Sequence, residues 1–262
     1  MIVAVRVLAR AAHMSIYEFF GVYSPAAWLV AWLPRVVFGA LFFGLVAEFA
    51  GGHALLLFAL VGNAAYLTLQ PTLTFTAGSV MSELTAGTLP LLIGTPTNPI
   101  LVLTGRNAAW GLNGLISGAL TLAIAAMFGL SVTPVSFLAL VGVLAVIETS
   151  AYALGVLIGS LVVRWPGSTN IVPVVVGFTL LVIGGVNVPL DVLPEWVQAI
   201  ALAAPMTNGL LGMRAILDGD GQAATVFVLA EVLIGCMYLA LALLSFRFLV
   251  TRTRTAGSFD YQ

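Results

Sequence analysis

The chain has 262 residues, 61% hydrophobic and 7% charged, with a formal net charge of −1, and its mean hydropathy of +1.14 lies far above that of a soluble domain. Every cationic side chain is Arg, which excludes the Lys-dependent phosphate loop GxxxxGK[ST]. The single Cys, Cys236, excludes an internal disulfide, and the near-neutral charge gives no support for nucleic-acid binding.

A bilayer core needs roughly 20 apolar residues per helical span, so about six spans fit this length. The apolar runs are continuous rather than alternating over about ten residues, which favours helices over a barrel. No stretch is long and polar enough for a separate soluble domain. Residues 1–262 therefore read as one transmembrane domain of an all-α polytopic membrane protein with six transmembrane helices.

The first 22 residues lack a short apolar core followed by a small-residue cleavage site, so they do not read as a signal peptide. Arg6, Arg10, His13 and Tyr17 recur at helical spacing on one face, and Ile2, Val5, Leu8, Ala12, Ile16 and Phe19 cover the other. This is an N-terminal amphipathic helix. It either lies in the headgroup layer with its Arg toward anionic lipid or packs on the protein.

Apolar runs then place spans at about 26–49, 54–80, 100–128, 135–163, 171–188 and 225–249, with boundaries uncertain by several residues. Pro34, Pro71 and Pro173 are expected to kink their runs. Gly177, Gly184 and Gly185 would permit close helix contact. The stretch 189–222 is too rich in Pro and polar residues to span and too apolar for a solvent loop. Short re-entrant helices at the membrane edge fit it, with Trp196 at the interface.

Arg placement orients the chain. One set of connectors and termini holds Arg6, Arg10, Arg106, Arg164, Arg247, Arg252 and Arg254. The other holds only Arg214, with Glu48, Asp191, Glu195, Asp218 and Asp220. The Arg-rich set, with both termini and residues 81–99, is expected in the cytoplasm, and 189–222 outside.

Residues 81–96 (MSELTAGTLPLLIGTP) are a polar island between the second and third runs. An acid at the start of a short helix is favoured by the helix dipole, and apolar Leu89, Leu91 and Leu92 would fill a groove on a soluble partner. Glu83, Gly87-Thr88-Leu89, Leu91-Leu92 and Thr95-Pro96, in this order, resemble the coupling segment of type-2 ABC transporter permeases. Val188-Pro189, Leu193-Pro194-Glu195-Trp196, Ala204-Pro205-Met206-Thr207 and Arg214 are similar to that family's external segment before the last span. The resemblance covers the whole chain. Leu84 stands where the family usually has Arg, and Pro90 where it usually has a second Glu.

The resemblance implies a non-catalytic permease subunit of an ATP-driven exporter in a bacterial inner membrane. It implies a separate ABC ATPase in two copies, which binds the ATP and Mg2+, and a second permease as homodimer or heterodimer partner. The ATPase-coupling residues would be Glu83, Gly87, Thr88, Leu89, Leu91, Leu92, Thr95 and Pro96. The external re-entrant segment would hold Pro189, Pro194, Glu195, Trp196 and Pro205. In the family the first and fifth spans face each other across the pathway, which makes Phe38, Phe42, Phe178 and Asn187 candidates for pathway or interface.

Arg35 and Glu148 are intramembrane charges, and such groups face a protein interior or a water path. Two readings fit Arg35: a pathway residue for an anionic group, or a structural residue that snorkels or pairs, with Glu148 as candidate partner. Glu231 is a further acid in the sixth run. His13 and His53 are too far apart in sequence for a metal site, and no nucleophile with a base is evident.

The apolar character favours an amphiphilic cargo such as a drug, antibiotic or lipid. A polysaccharide or glycolipid carrier is the alternative within the class. An ion-coupled secondary transporter predicts an inverted repeat and several midplane charges, and no convincing repeat is found. A membrane-embedded enzyme predicts clustered His, Asp or Glu on adjacent spans, which are absent. A non-transporting sensor or immunity protein remains a further alternative.

Overall fold

The structure is a computed structural model and describes residues 2–22, 24–85, 99–162 and 165–256. Among these residues there are ten α-helices, two short 3-10 turns and no strand. In chain order the helices are α1 (Ile2–Val22), α2 (Pro25–Gly51), α3 (His53–Thr85), α4 (Pro99–Arg106) and α5 (Ala108–Met127). They continue with α6 (Pro134–Val162), α7 (Ile171–Ile183), α8 (Glu195–Ala203), α9 (Thr207–Leu217) and α10 (Gly221–Ala256).

Local chemistry sets the boundaries. Ser24 caps α2, its hydroxyl accepting the Ala27 amide at 3.1 Å, with Pro25 at the first helical position. A single residue, Gly52, separates α2 from α3. Its φ of +80° is open to Gly and strained for most other residues. Pro34 and Pro71 lie inside α2 and α3.

Helix α3 is the central post, packed against α2, α5, α6 and α7. Thr68, Thr72 and Thr76 are buried along it at a spacing of one turn. Glycines on neighbouring helices let the backbones approach. A Cβ at Gly155 would stand 2.8 Å from Thr76, and one at Gly159 would stand 2.7 Å from the Ala77 carbonyl. Without a hydrophobic drive between spans, such close packing is what holds helices together in lipid. By contrast, α2 and α10 are largely uncovered, with 17% of each apolar window buried against 67% for α3.

Among the described residues, five helices are long and apolar enough to cross a membrane: α2, α3, α5, α6 and α10. Two of the expected spans differ in form. The third is broken at Asn107, so α4 and α5 replace one long helix. The fifth is helical for only 13 residues, about 20 Å, which is short of a bilayer core. Gly184 ends it and Gly185 turns with φ +78°. Residues 184–188 then continue as irregular chain, for which periodicity in an apolar sequence gives no warning. In the expected re-entrant segment, α8 and α9 form a pair bent by 94°.

Candidate functional site

At one end of the bundle, α1, α3 and α4 converge on Arg106. The last turn of α4 presents Arg106 between two acids: Glu18 of α1, 2.9 Å from Nη2, and Glu83 of α3, which pairs with Nη1. Glu83 is almost fully buried, whereas Glu18 and Arg106 are partly solvated. Glu83 sits in the final turn of α3, not at the start of a separate coupling helix, because α3 runs on to Thr85. A carboxylate there opposes the helix dipole, and Arg106 compensates it. Gly87, Thr88, Leu89, Leu91, Leu92, Thr95 and Pro96 lie outside the described residues. Glu83 stands just before the interval that holds them, and Arg106 closes α4, the helix that follows it.

The break between α4 and α5 is splinted by polar side chains. The Ser15 hydroxyl donates to the Arg106 carbonyl at 2.7 Å and accepts the Ala109 amide at 3.0 Å. Asn107 donates to the Leu103 carbonyl and to Ser79 of α3. These bonds satisfy backbone groups that a break leaves without intrahelical partners. Ala11, Ser15 and Phe19 form the buried stripe of α1, while Arg6, Arg10, His13 and Tyr17 are exposed. The helix packs against α4 and α5. It therefore has both a protein-bound face and an open face.

Beside this clamp, aromatic residues join α1, α2, α3 and α5. Trp110 stacks on Phe75 and meets Phe19 edge-on, and Trp28 stacks on Trp32. The two indole N–H groups donate to Asn113 at 3.1 Å and Ser117 at 2.9 Å, so a matched one-turn spacing on both helices fixes α2 to α5. These rings and Arg35 line a cavity of about 120 Å³. Arg35 and Glu148 do not pair. Glu148 accepts the Thr72 hydroxyl, and Arg35 belongs to the aromatic cavity.

Phe38, Phe42 and Phe178 lie on uncovered faces of α2 and α7. Asn187 instead accepts a 2.8 Å hydrogen bond from Asn63 of α3. At this opposite end, Pro194 precedes α8, Glu195 lies in its first turn, Trp196 is exposed and Pro205 is buried at the bend. Pro189 precedes the short turn Leu190–Val192.

Two residues here carry more of the architecture than sequence reasoning gave them. Glu231 of α10 is fully buried and accepts the Met206 amide at 2.8 Å and the Gly209 amide at 3.0 Å. It caps α9 from another helix and holds Met206 at φ +83°, a conformation that costs a non-Gly residue about 1 kcal/mol or more. Arg214 of α9 donates to the Gly185 carbonyl at 2.7 Å and lies 3.4 Å from the Phe58 ring centroid. It thereby serves the unwound end of α7. The available signal was chemical: an acid or a cation in an apolar run demands a partner, and broken helices supply one.

No curated protein matches the chain. A family model described as ABC-2 type transporter matches residues 4–217, from α1 through α9. With five or six candidate spans and the match covering most of its length, the chain belongs to the ABC-2 type transporter family and is a multi-pass membrane component of an ABC transporter.

Proposed function

We propose that this chain is the permease subunit of an ATP-driven exporter that moves an amphiphilic molecule out of the cytoplasm or the inner leaflet. Two copies of a separate ABC ATPase supply the ATP and Mg2+ chemistry, and a second permease completes the unit. The chain sits in a bacterial inner membrane with both termini cytoplasmic. The observation that carries this reading is the Glu18–Arg106–Glu83 clamp, which joins the two helices flanking the 86–98 interval.

A coupling segment must pass a push from a soluble protein into several helices at once. Here the two helices that flank the interval are tied together, since Glu83 lies in the last turn of α3 and Arg106 in the last turn of α4. Glu18 adds α1 to the same node. A displacement of the 86–98 segment therefore moves α1, α3 and α4 as a unit. The Trp28 and Trp32 bonds carry α2 along with α5. The uncovered apolar faces of α2 and α7, with Phe38, Phe42 and Phe178, supply the surface for a second permease and for the cargo.

The test is co-purification and transport. The chain is expressed with candidate ABC ATPases, and ATP-dependent flux of lipophilic dyes is measured in vesicles. Wild type is expected to retain an ATPase and to need it for flux. Glu83→Arg is expected to lower flux per ATP hydrolysed, and adding Arg106→Glu to restore much of it. Full flux without any ATPase overturns the reading.

A further inference from the structure

A second cavity, of about 440 Å³, opens on the flank of the bundle between α1, α3, α4, α5 and α6. Its size falls within the roughly 300–1,000 Å³ of small-molecule sites. The walls are mostly apolar, from residues such as Leu112 and Leu115. Polar groups are few and grouped: Thr72, Glu148, and the pair Thr104–Tyr152, whose hydroxyls lie 2.7 Å apart. Leu8, Ala108, Leu112 and Thr149 are its exposed lining residues.

Glu148 is the unusual member. It stands at the middle of the 29-residue α6, about 21 Å along the axis from either end. Its carboxyl group is seated against α5 where Gly111 and Gly114 leave room. A Cβ at Gly111 would stand 2.7 Å from Oε1, and one at Gly114 would stand 3.2 Å from Oε2. Thr72 donates to Oε1. Oε2 is buried and has no hydrogen-bond partner, and no Arg or His forms an ion pair with this acid among the described residues. A buried oxygen left unpaired costs on the order of 1–3 kcal/mol. Glu148 is thus an acid among the lining residues of an apolar cavity, with no countercharge paired to it among the described residues.

We propose that this cavity is a membrane-facing binding site for lipophilic amines, with the ammonium group donating to Glu148 and the apolar body lying against Leu112 and Leu115. An ammonium brings up to three N–H donors and a complementary charge. An anionic head finds no complementary charge here, and an alcohol brings one donor without charge. The mouth beside Leu112 and Thr149 admits such a molecule from lipid rather than from water. The site names the cargo class of the exporter, and for that role it rests on the exporter reading. Binding itself does not depend on it.

The experiment uses the purified full chain in nanodiscs, without ATPase, and three fluorescent probes. They share one dansyl-hexyl body and end in an amine, a hydroxyl or a sulfonate. The amine is expected to bind at least tenfold tighter than the hydroxyl probe, and the sulfonate not to bind. Glu148→Gln is expected to lower amine affinity about tenfold and leave the hydroxyl probe unchanged. Leu112→Trp, at the exposed mouth where folding is not at stake, is expected to weaken both probes. Equal binding of amine and hydroxyl, or an unchanged amine preference in Glu148→Gln, overturns the proposal. So does full amine affinity in Leu112→Trp. In the vesicle assay with ATPase, ATP-coupled flux with no amine preference overturns the cargo role alone. Amine binding with ATP-independent flux sinks the exporter reading alone.

Discussion

The two ends of the bundle handle charge in opposite ways. At the clamp, Arg106 meets two carboxylates, and two of the three groups keep contact with solvent. At the re-entrant end, Glu231 and Arg214 form no ion pair among the described residues. They bond backbone amides and carbonyls exposed by broken helices. Ion pairs between partly solvated groups are weak and tolerate sliding. A buried charge spent on backbone groups fixes those groups in place, because its loss leaves several of them unpaired. The comparison identifies the re-entrant end as held through backbone groups and the clamp as held through ion pairs.

The largest expected effect lies at Glu231. Glu231→Ala removes both acceptors for Met206 and Gly209 and leaves a void in a closed site, at a cost of about 4 kcal/mol. For a chain of this size that lowers the apparent Tm in detergent by roughly 10 °C. Glu231→Gln keeps one acceptor oxygen and should recover about half of the loss. A Tm for Glu231→Ala within 2 °C of wild type would show that the bend is held by packing alone.

Arg214 comes next. Arg214→Met keeps the apolar stem over Phe58 and removes the donor to Gly185, which should cost about 2 kcal/mol. Arg214→Lys retains the charge but not the planar group, and should recover only part of it. Amide hydrogen exchange at 185–188 is the local readout. Faster exchange there, with α6 unchanged, is the expected pattern. Uniform acceleration along the chain would place Arg214 in global stability instead.

How much of this was legible in the sequence follows from which interactions leave a periodic trace. The apolar runs placed α2, α3, α6 and α10 closely, because span length is set by the bilayer. The re-entrant segment was marked by its prolines and Trp196. The break at Asn107 was not legible, since Ser15, which bonds the Arg106 carbonyl and the Ala109 amide there, arrives from far along the chain. The same holds for Glu83. Counting charges within 81–96 made it a lone acid, whereas its partner Arg106 lies beyond that interval. Tertiary ion pairs and caps supplied by another helix have no local pattern to read.

A double-mutant cycle probes the clamp. Arg106→Gln leaves Glu83 buried without its cation and should cost about 2 kcal/mol. Glu83→Gln alone should cost less, and the double variant should approach the Glu83→Gln value, because the uncompensated charge is gone. Stability is read from thermal unfolding and coupling from flux per ATP. If the three variants simply add, Glu83 and Arg106 act independently and the node is not a unit.

The smallest effect is expected at Glu18, and it separates two ways of holding α1. The Glu18–Arg106 pair is partly exposed, so Glu18→Gln should change stability by less than about 1 kcal/mol, and salt should screen what it contributes. If α1 were held mainly by charge, either change would release it. The structure gives α1 two further attachments that salt does not touch: Ser15 bonded across the α4–α5 break, and Phe19 packed on Trp110. Residues 11–19 should therefore keep their exchange protection in Glu18→Gln and at high salt. Ser15→Ala should expose the Ala109 amide and raise exchange along α1. Protection lost in Glu18→Gln but kept in Ser15→Ala would reverse the order of these contacts and make the clamp electrostatic.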